Sequence, residues 1–289
     1  MTVKEKGYSH WKGEFEEKRF PWWPITRYGI KLTFKRKFFK LFFFMTLLPA
    51  FGYLVGIYVS ERIEDFSFMI REGTEIFAVN PAYFKSYMTN DFLLFMIVMI
   101  MVFCGSGLIS DDLKYNSLQL YFSRPLKKGD YFTGKAAVIT FFLFIVTLVP
   151  GIFFIIMKLI FSGNFRFFQQ YPWLILSVLV YSVFITGFFS FYVMLLSSLN
   201  KNRRYVAVLI FGLYLFTDIL FGIFYGIFRS KYFSLLSLKV NLQQVGSVLF
   251  KQKTPYDISW LYSFLILVLI CIISALVLKK KVRGVEVIK

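Results

Sequence analysis

Residues 91–110 read DFLLFMIVMIMVFCGSGLIS, residues 111–135 DDLKYNSLQLYFSRPLKKGDYFTGK, and residues 136–157 AAVITFFLFIVTLVPGIFFIIM. The two outer blocks each have the roughly 20 residues that a helix needs to cross about 30 Å of hydrocarbon. The island between them, Ser110 to Lys135, is polar. It carries Asp111, Asp112, Lys114, Arg124, Lys127, Lys128, Asp130 and Lys135, while its flanks are almost free of charge. Membrane proteins place such charge where the chain meets water or a partner. Apolar block, charged island, apolar block is the pattern of an all-α polytopic membrane protein.

Working outward, the same reading predicts six spans, at 41–60, 91–110, 136–157, 173–196, 205–228 and 260–278. Residues 1–40 form an N-terminal segment, 41–278 the transmembrane domain with its loop 110–135 and outer loop 229–259, and 279–289 a basic tail. Placing both termini in the cytoplasm puts 24 of the 34 Lys and Arg residues on that side, as the positive-inside bias requires. The first outer loop is acidic, with Glu61, Glu64, Asp65, Glu72 and Glu75. The outer loop 229–259 is basic and long. Its apolar pieces, Tyr232 to Leu236 and Val245 to Phe250, suit interfacial or re-entrant helices better than open loop.

From Pro24 the chain turns helical, with Ile25, Tyr28, Leu32 and Phe39 at helical spacing beside a basic stripe of Arg27, Lys31 and Lys35. This predicts an amphipathic helix in the membrane surface; the plainer alternative is a water-exposed start to the first span. Pro150 and Gly151 predict a kink or an end to the straight part of the third span. Gly222 and Gly226 have the small-xxx-small spacing of a helix-packing face. Asp218 is the one acid inside a span. An intramembrane acid is a functional candidate, although pairing with a neighbouring helix accounts for it as well.

Composition excludes several classes. Hydrophobic residues make up 57% of the 289, above the range of soluble domains. The net charge of +18 is accounted for by cytoplasmic loops and anionic lipid, so no nucleic-acid partner is expected. Cys104 and Cys271 offer neither a disulfide framework nor a metal site. With His10 as the only histidine, a Ser-His-Asp or Cys-His set is not expected. No cleavable signal peptide is expected ahead of the first apolar run.

Within the island, Ser110 reads as a hydroxyl cap followed by two acids at the positive end of the helix dipole. Leu113, Leu120 and Tyr121, with Ser117 between them, can share one face, and Pro125 stops the helix. Lys127 to Gly129 turns the chain, and Asp130 caps the third span. The expected form is one short cytoplasmic helix with an apolar face. Such a helix suits a groove on another protein, and it equally suits lipid headgroups. Gly129 to Lys135 also matches G-x-x-x-x-G-K, the spacing of a phosphate-binding loop. The context argues against that function: no strand precedes it, Ala136 replaces the magnesium-binding hydroxyl, and Tyr131 and Phe132 fill the curl.

The run GLISDDLKYNSLQLYFSRPLKKGDYFTGK resembles the segment between the second and third spans of type-two ATP-binding-cassette (ABC) exporter permeases. The likeness is to the six-span branch with a separate ATPase subunit, which includes the permease of nitrous-oxide-reductase maturation. It is carried by Ile109, Asp111, Asp112, Leu113, Leu118, Leu120, Tyr121, Ser123, Arg124, Pro125, Leu126, Asp130, Tyr131, Gly134 and Lys135, and more weakly by Arg283, Val285, Glu286 and Val287 in the tail. The polar, aromatic stretch before Pro24 has no counterpart in this likeness.

The resemblance implies a coupling helix gripped by a cytoplasmic ABC ATPase dimer. Asp111, Asp112 and Arg124 would make polar contacts, with Leu120 and Tyr121 as apolar anchors and Pro125 ending the helix. It further implies a second permease copy or a related permease, a prokaryotic cytoplasmic membrane, and ATP and Mg in the partner, with no cofactor in this chain. Three other classes compete: an ATP-independent secondary transporter or channel, a membrane-embedded enzyme, and a membrane scaffold. The single intramembrane acid argues against the first, and the absence of interfacial acid–histidine clusters in the sequence argues against the second.

Overall fold

The computed structural model describes residues 20–62, 79–122, 126–163 and 165–281. All regular structure among them is helical. In chain order the helices are α1 (Trp23–Phe34), α2 (Lys37–Glu61), α3 (Pro81–Met88), α4 (Asp91–Gly105), α5 (Ser110–Lys114), α6 (Ser117–Phe122), α7 (Lys128–Val146) and α8 (Leu148–Ser162). They continue as α9 (Arg166–Gln170), α10 (Leu174–Leu199), α11 (Arg203–Phe228), a 3-10 turn at Lys231–Leu236, α12 (Leu238–Leu249) and α13 (Trp260–Lys281). Six stretches of the described residues are long and apolar enough to cross a membrane: Lys37–Glu61, Pro81–Lys114, Lys128–Ser162, Leu174–Leu199, Arg203–Phe228 and Trp260–Lys281. The chain is an all-α polytopic membrane protein. The expected N-terminal residues 1–19, most of the acidic loop, and the tail beyond Lys281 lie outside the described residues.

The interior is built on the second and fourth spans. Their apolar windows are 67% and 56% buried, against 22% for the first, fifth and sixth spans. The fourth span, α10, packs against α4, α7, α8, α11, α12 and α13. The outer spans turn Phe38, Phe44, Phe51, Phe216, Ile219 and Leu276 outward. Such residues cost nothing in lipid, whose chains are as apolar as the side chains.

Helix α1 is a separate element, ended by Arg36 in extended conformation before α2 begins. Its protein-facing side mixes small polar residues with Ile25, Ile30 and Phe34, which pack partly buried against the core. Thr26 and Thr33 are buried on it, while Tyr28 and Leu32 face outward. It crosses α7 at two glycines. A Cβ on Gly29 would lie 2.6 Å from Val138, and one on Gly134 would lie 3.0 Å from the Trp22 carbonyl oxygen. Thr26 Oγ1 donates to the Gly134 carbonyl at 3.0 Å across this contact. Phe39 belongs to α2, where it is buried against Phe34, Phe43 and Phe142.

The third span breaks where Pro150 predicts. Proline has no N–H for the carbonyl four residues back, and its ring crowds that carbonyl. Helix α7 therefore ends at Val146, and α8 restarts after Thr147. The orphaned Val146 carbonyl accepts a 2.7 Å hydrogen bond from the buried Tyr87 hydroxyl of α3. Within hydrocarbon such a carbonyl needs a protein partner, because water does not supply one.

The outer loop is folded. Val245 to Leu249 fall in α12, which buries Leu242, Val245 and Gln244. Ser237 caps it by accepting from the Val240 amide at 3.2 Å. Gln244 donates to the carbonyls of Tyr256 and Ile258 at 2.8 and 2.9 Å, tying the helix to the chain that leads into α13.

Tyr87→Phe is expected to destabilise the protein by about 1 kcal/mol, the scale of one buried side-chain hydrogen bond in a membrane protein. In a Pro150→Ala background the loss should shrink, since residue 150 then offers its own amide to Val146. Unfolding in mild detergent of the four chains of this cycle measures the difference.

Candidate functional site: the loop between the second and third spans

The loop begins where α4 ends. After Gly105 the chain turns through Ser106 to Ile109 before α5. Ser197 of α10 stabilises this turn. Its hydroxyl accepts from the amides of Ile109 and Ser110 at 3.0 and 3.1 Å and donates to the Ser106 carbonyl at 3.1 Å. Two amides that the start of α5 leaves without partners are thereby satisfied from another helix. Ser110 is the first residue of α5 and not its cap; its hydroxyl donates back to the Ser106 carbonyl at 2.6 Å.

Asp112 is the centre of the loop. It is 9% exposed, and its carboxylate accepts from the Tyr131 hydroxyl at 2.7 Å and pairs with Lys135 Nζ at 2.6 Å. Tyr131 and Lys135 are four apart on α7 and so share one face. Tyr121 of α6 lies over this pair, 5.4 Å from the Tyr131 ring, and the Lys135 ammonium stands 5.7 Å from the Tyr121 ring centroid. Burial, then the Asp112 carboxylate, pushes the Tyr121 phenol up to about 12. A buried carboxylate, ammonium and phenol, covered by the half-buried Tyr121, thus bind α5, α6 and α7 into one piece.

The predicted single helix is two helices. They are separated at Asn116, whose φ of 53° is in the left-handed region that asparagine tolerates better than most residues. The predicted site residues consequently divide. Asp112 faces inward and is spent on Lys135 and Tyr131, so it presents no carboxylate to a partner. Tyr121 is half-buried against the same group. Leu120 is 73% exposed and Tyr115 68%, and with Lys114, Asn116 and Gln119 they form the outer tip. Arg124 and Pro125 lie outside the described residues. Asp130 acts as expected at the start of α7, its carboxylate accepting from the Lys127 amide at 3.2 Å.

Asp111 faces the other way, toward Arg36 and Arg203. These two guanidiniums converge on the Phe103 carbonyl, Arg203 at 3.2 Å and Arg36 more closely. Arg203 Nε also donates to Ser106 Oγ at 3.1 Å. Phe103 is in the last turn of α4, where carbonyls are unpaired and the dipole favours cations. Arg203 opens α11, an end that disfavours a cation, and the α4 terminus compensates it.

Asp218 sits near the opposite end of the bundle. It accepts from Ser237 Oγ at 2.9 Å and pairs with Lys239 of α12 at 3.0 Å. Lys239 also lies 3.7 Å from Asp91, which accepts from Gln243 at 2.7 Å. The acid is therefore a tie between α11 and the outer loop helix.

The G-x-x-x-x-G-K match is helical. Gly129, Gly134 and Lys135 all lie in α7, with Gly134 at the α1 crossing and Lys135 on Asp112. No phosphate-cradling loop forms there. Among the described residues, no group of three or more His, Cys, Asp or Glu is placed to hold a metal. No family model matches the chain, and no curated protein matches it.

Replacing one member of the Asp112–Lys135 pair leaves the other charge buried, which is costlier than replacing both. Asp112→Asn is expected to lose about 3 kcal/mol of stability, and Asp112→Leu with Lys135→Met to lose less. Thermal unfolding of the purified chains in detergent ranks them. Equal losses in the single and double variants would remove the pair from its central place.

Proposed function

We propose that the chain is the membrane-spanning permease subunit of an ABC transporter of the exporter type, coupled through the 110–135 loop to a separate cytoplasmic ATPase. The observation that carries this reading is the mechanical character of the loop. Its root is fastened to α7 by Asp112, Lys135 and Tyr131 and to α10 by Ser197. Its tip, with Tyr115 and Leu120, is exposed. A partner gripping the tip would displace α4, α7 and α10 together, because the root has little freedom to absorb the motion. A loop tethered only by its ends would dissipate such a push.

The resemblance of the same residues to the coupling segment of type-two permeases supplies the partner class. Leu120 and Tyr115 are the contacts this reading favours, with Asp112 and Tyr121 as internal supports. ATP and magnesium belong to the ATPase, and phosphoryl transfer takes place there. A second copy of this chain, or a related permease, completes the pathway. The open side of α11, where Gly212, Gly222 and Gly226 have no neighbour within 4 Å, offers a surface for close helix contact.

The test is recovery of the tagged chain from its native membrane in gentle detergent, followed by an ATPase assay of the eluate. Wild type is expected to bring a nucleotide-hydrolysing subunit. Leu120→Glu should lose that subunit by tenfold or more while melting at the wild-type temperature. If intact wild type brings no ATPase, the transporter reading fails.

A further inference from the structure

A cleft of about 80 Å³ opens between α1 and the root of the loop. On the same measure one water needs roughly 10–15 Å³, so a tetrahedral anion has room. One wall is Ile25, Tyr28, Leu32 and Arg36; the facing wall is Asp111, Asp112, Tyr121 and Lys135; the floor includes Gly107 and Leu108. Three cations, Arg36, Lys135 and the adjacent Arg203, meet two carboxylates, Asp111 and Asp112. Lys135 is taken by Asp112. Asp111 acts electrostatically on both Arg36 and Arg203, ranking higher among the influences on Arg203, and offsets one charge of that pair.

One positive charge is left over, and Arg36 carries it into the cleft. Its hydrogen bond goes to a carbonyl, Phe103, that Arg203 also uses. Burial lowers its pKa and the neighbouring Arg203 lowers it further, with Asp111 offsetting only part of that. The rim reinforces the imbalance. Residues 20–60 contain no Asp or Glu, and Arg27, Lys31, Lys35, Lys37 and Lys40 form an exposed basic belt along α1 and the start of α2.

We propose that this cleft binds the phosphate of one anionic phospholipid headgroup, with Arg36 as its counter-ion and the Tyr28 hydroxyl at its edge. The apolar rim decides for a lipid over free phosphate. Ile25 and Leu32 are useless to a soluble ion but can follow the glycerol and first methylenes of a lipid. Because the facing wall is the root of the loop, a headgroup whose phosphate sits on Arg36 bridges α1 to Tyr121 across the cleft. Anionic lipid would then stiffen the loop, independently of what grips its tip.

The experiment uses the full chain, delipidated in neutral detergent, and follows its melting temperature while phosphatidylglycerol, phosphatidylcholine or inorganic phosphate is added. Phosphatidylglycerol is expected to raise the melting temperature saturably, and the other two are not. Arg36→Gln should weaken half-saturation roughly tenfold, the loss expected for one charged hydrogen-bonding partner. Leu32→Glu puts a carboxylate at the exposed rim without touching the Phe103 bond, and should do the same if Arg36→Gln folds poorly. Lys31→Gln with Lys35→Gln, which alters only the belt, should retain most of the effect.

Equal stabilisation by phosphatidylcholine, an equal effect of phosphate alone, or equal loss in the belt variant would each overturn the proposal. The first would leave a general bilayer effect, the second a soluble anion, and the third diffuse surface electrostatics.

Discussion

The contact on which the loop end of the bundle depends is the buried pairing of Asp112 with Lys135 and Tyr131. Removing a carboxylate and an ammonium from water costs several kcal/mol per ion, which only close mutual contact and further hydrogen bonds offset. That requirement makes the pair a strong positional constraint. Asp112 is satisfied in one place, against one face of α7, and α5 must go where it goes. Tyr121 then covers the pair and brings α6 with it. The order of the loop is thus imposed from α7, although the loop itself is too short and polar to fold alone.

The same logic recurs at two interruptions of the membrane helices. At the α7–α8 break the free Val146 carbonyl is met by Tyr87. At the α4–α5 break the free amides of Ile109 and Ser110 are met by Ser197, and the Phe103 carbonyl by two arginines. At both of these breaks backbone groups left free at a helix end are met by side chains from elsewhere in the fold. These are tertiary contacts with a local cause, and they explain why α10 lies at the centre. It carries Ser197 and Tyr181, whose hydroxyls reach the chain on both sides of it.

What could be read from the sequence follows from which forces are local. Span positions were legible because about 20 apolar residues have one solution in a bilayer. The break at Pro150 was legible because proline acts on its own helix. The division of the island at Asn116 was not, since nothing in Leu113 to Tyr121 requires φ to turn positive there. Nor was the inward turn of Asp112. Asp111 and Asp112 are the same residue type in adjacent positions, and only the arrival of α7 on one side distinguishes them. Tyr131 and Lys135 at four-residue spacing were the one available signal of a polar face awaiting a partner. Ser197 left none, because a serine in an apolar helix usually bonds to its own carbonyls.

The two ends of the bundle also solve their electrostatics differently, and this bears on how the molecule moves. At the end away from the 110–135 loop Asp218 and Asp91 share Lys239, and Glu61 pairs with Lys158, so opposite charges join α4 and α11 to α12 and α2 to α8. At the basic end Asp112 and Lys135 form a closed pair, but Arg36 and Arg203 crowd a single carbonyl with the Asp111 carboxylate acting on both. Closed pairs resist separation, whereas a surplus cation gains by any rearrangement that brings it an anion. The stored imbalance therefore lies where the loop meets α1, α4 and α11. A push on Tyr115 and Leu120, transmitted through the Asp112 pair, would act first on that junction, while the outer ion pairs keep the far ends of the helices together.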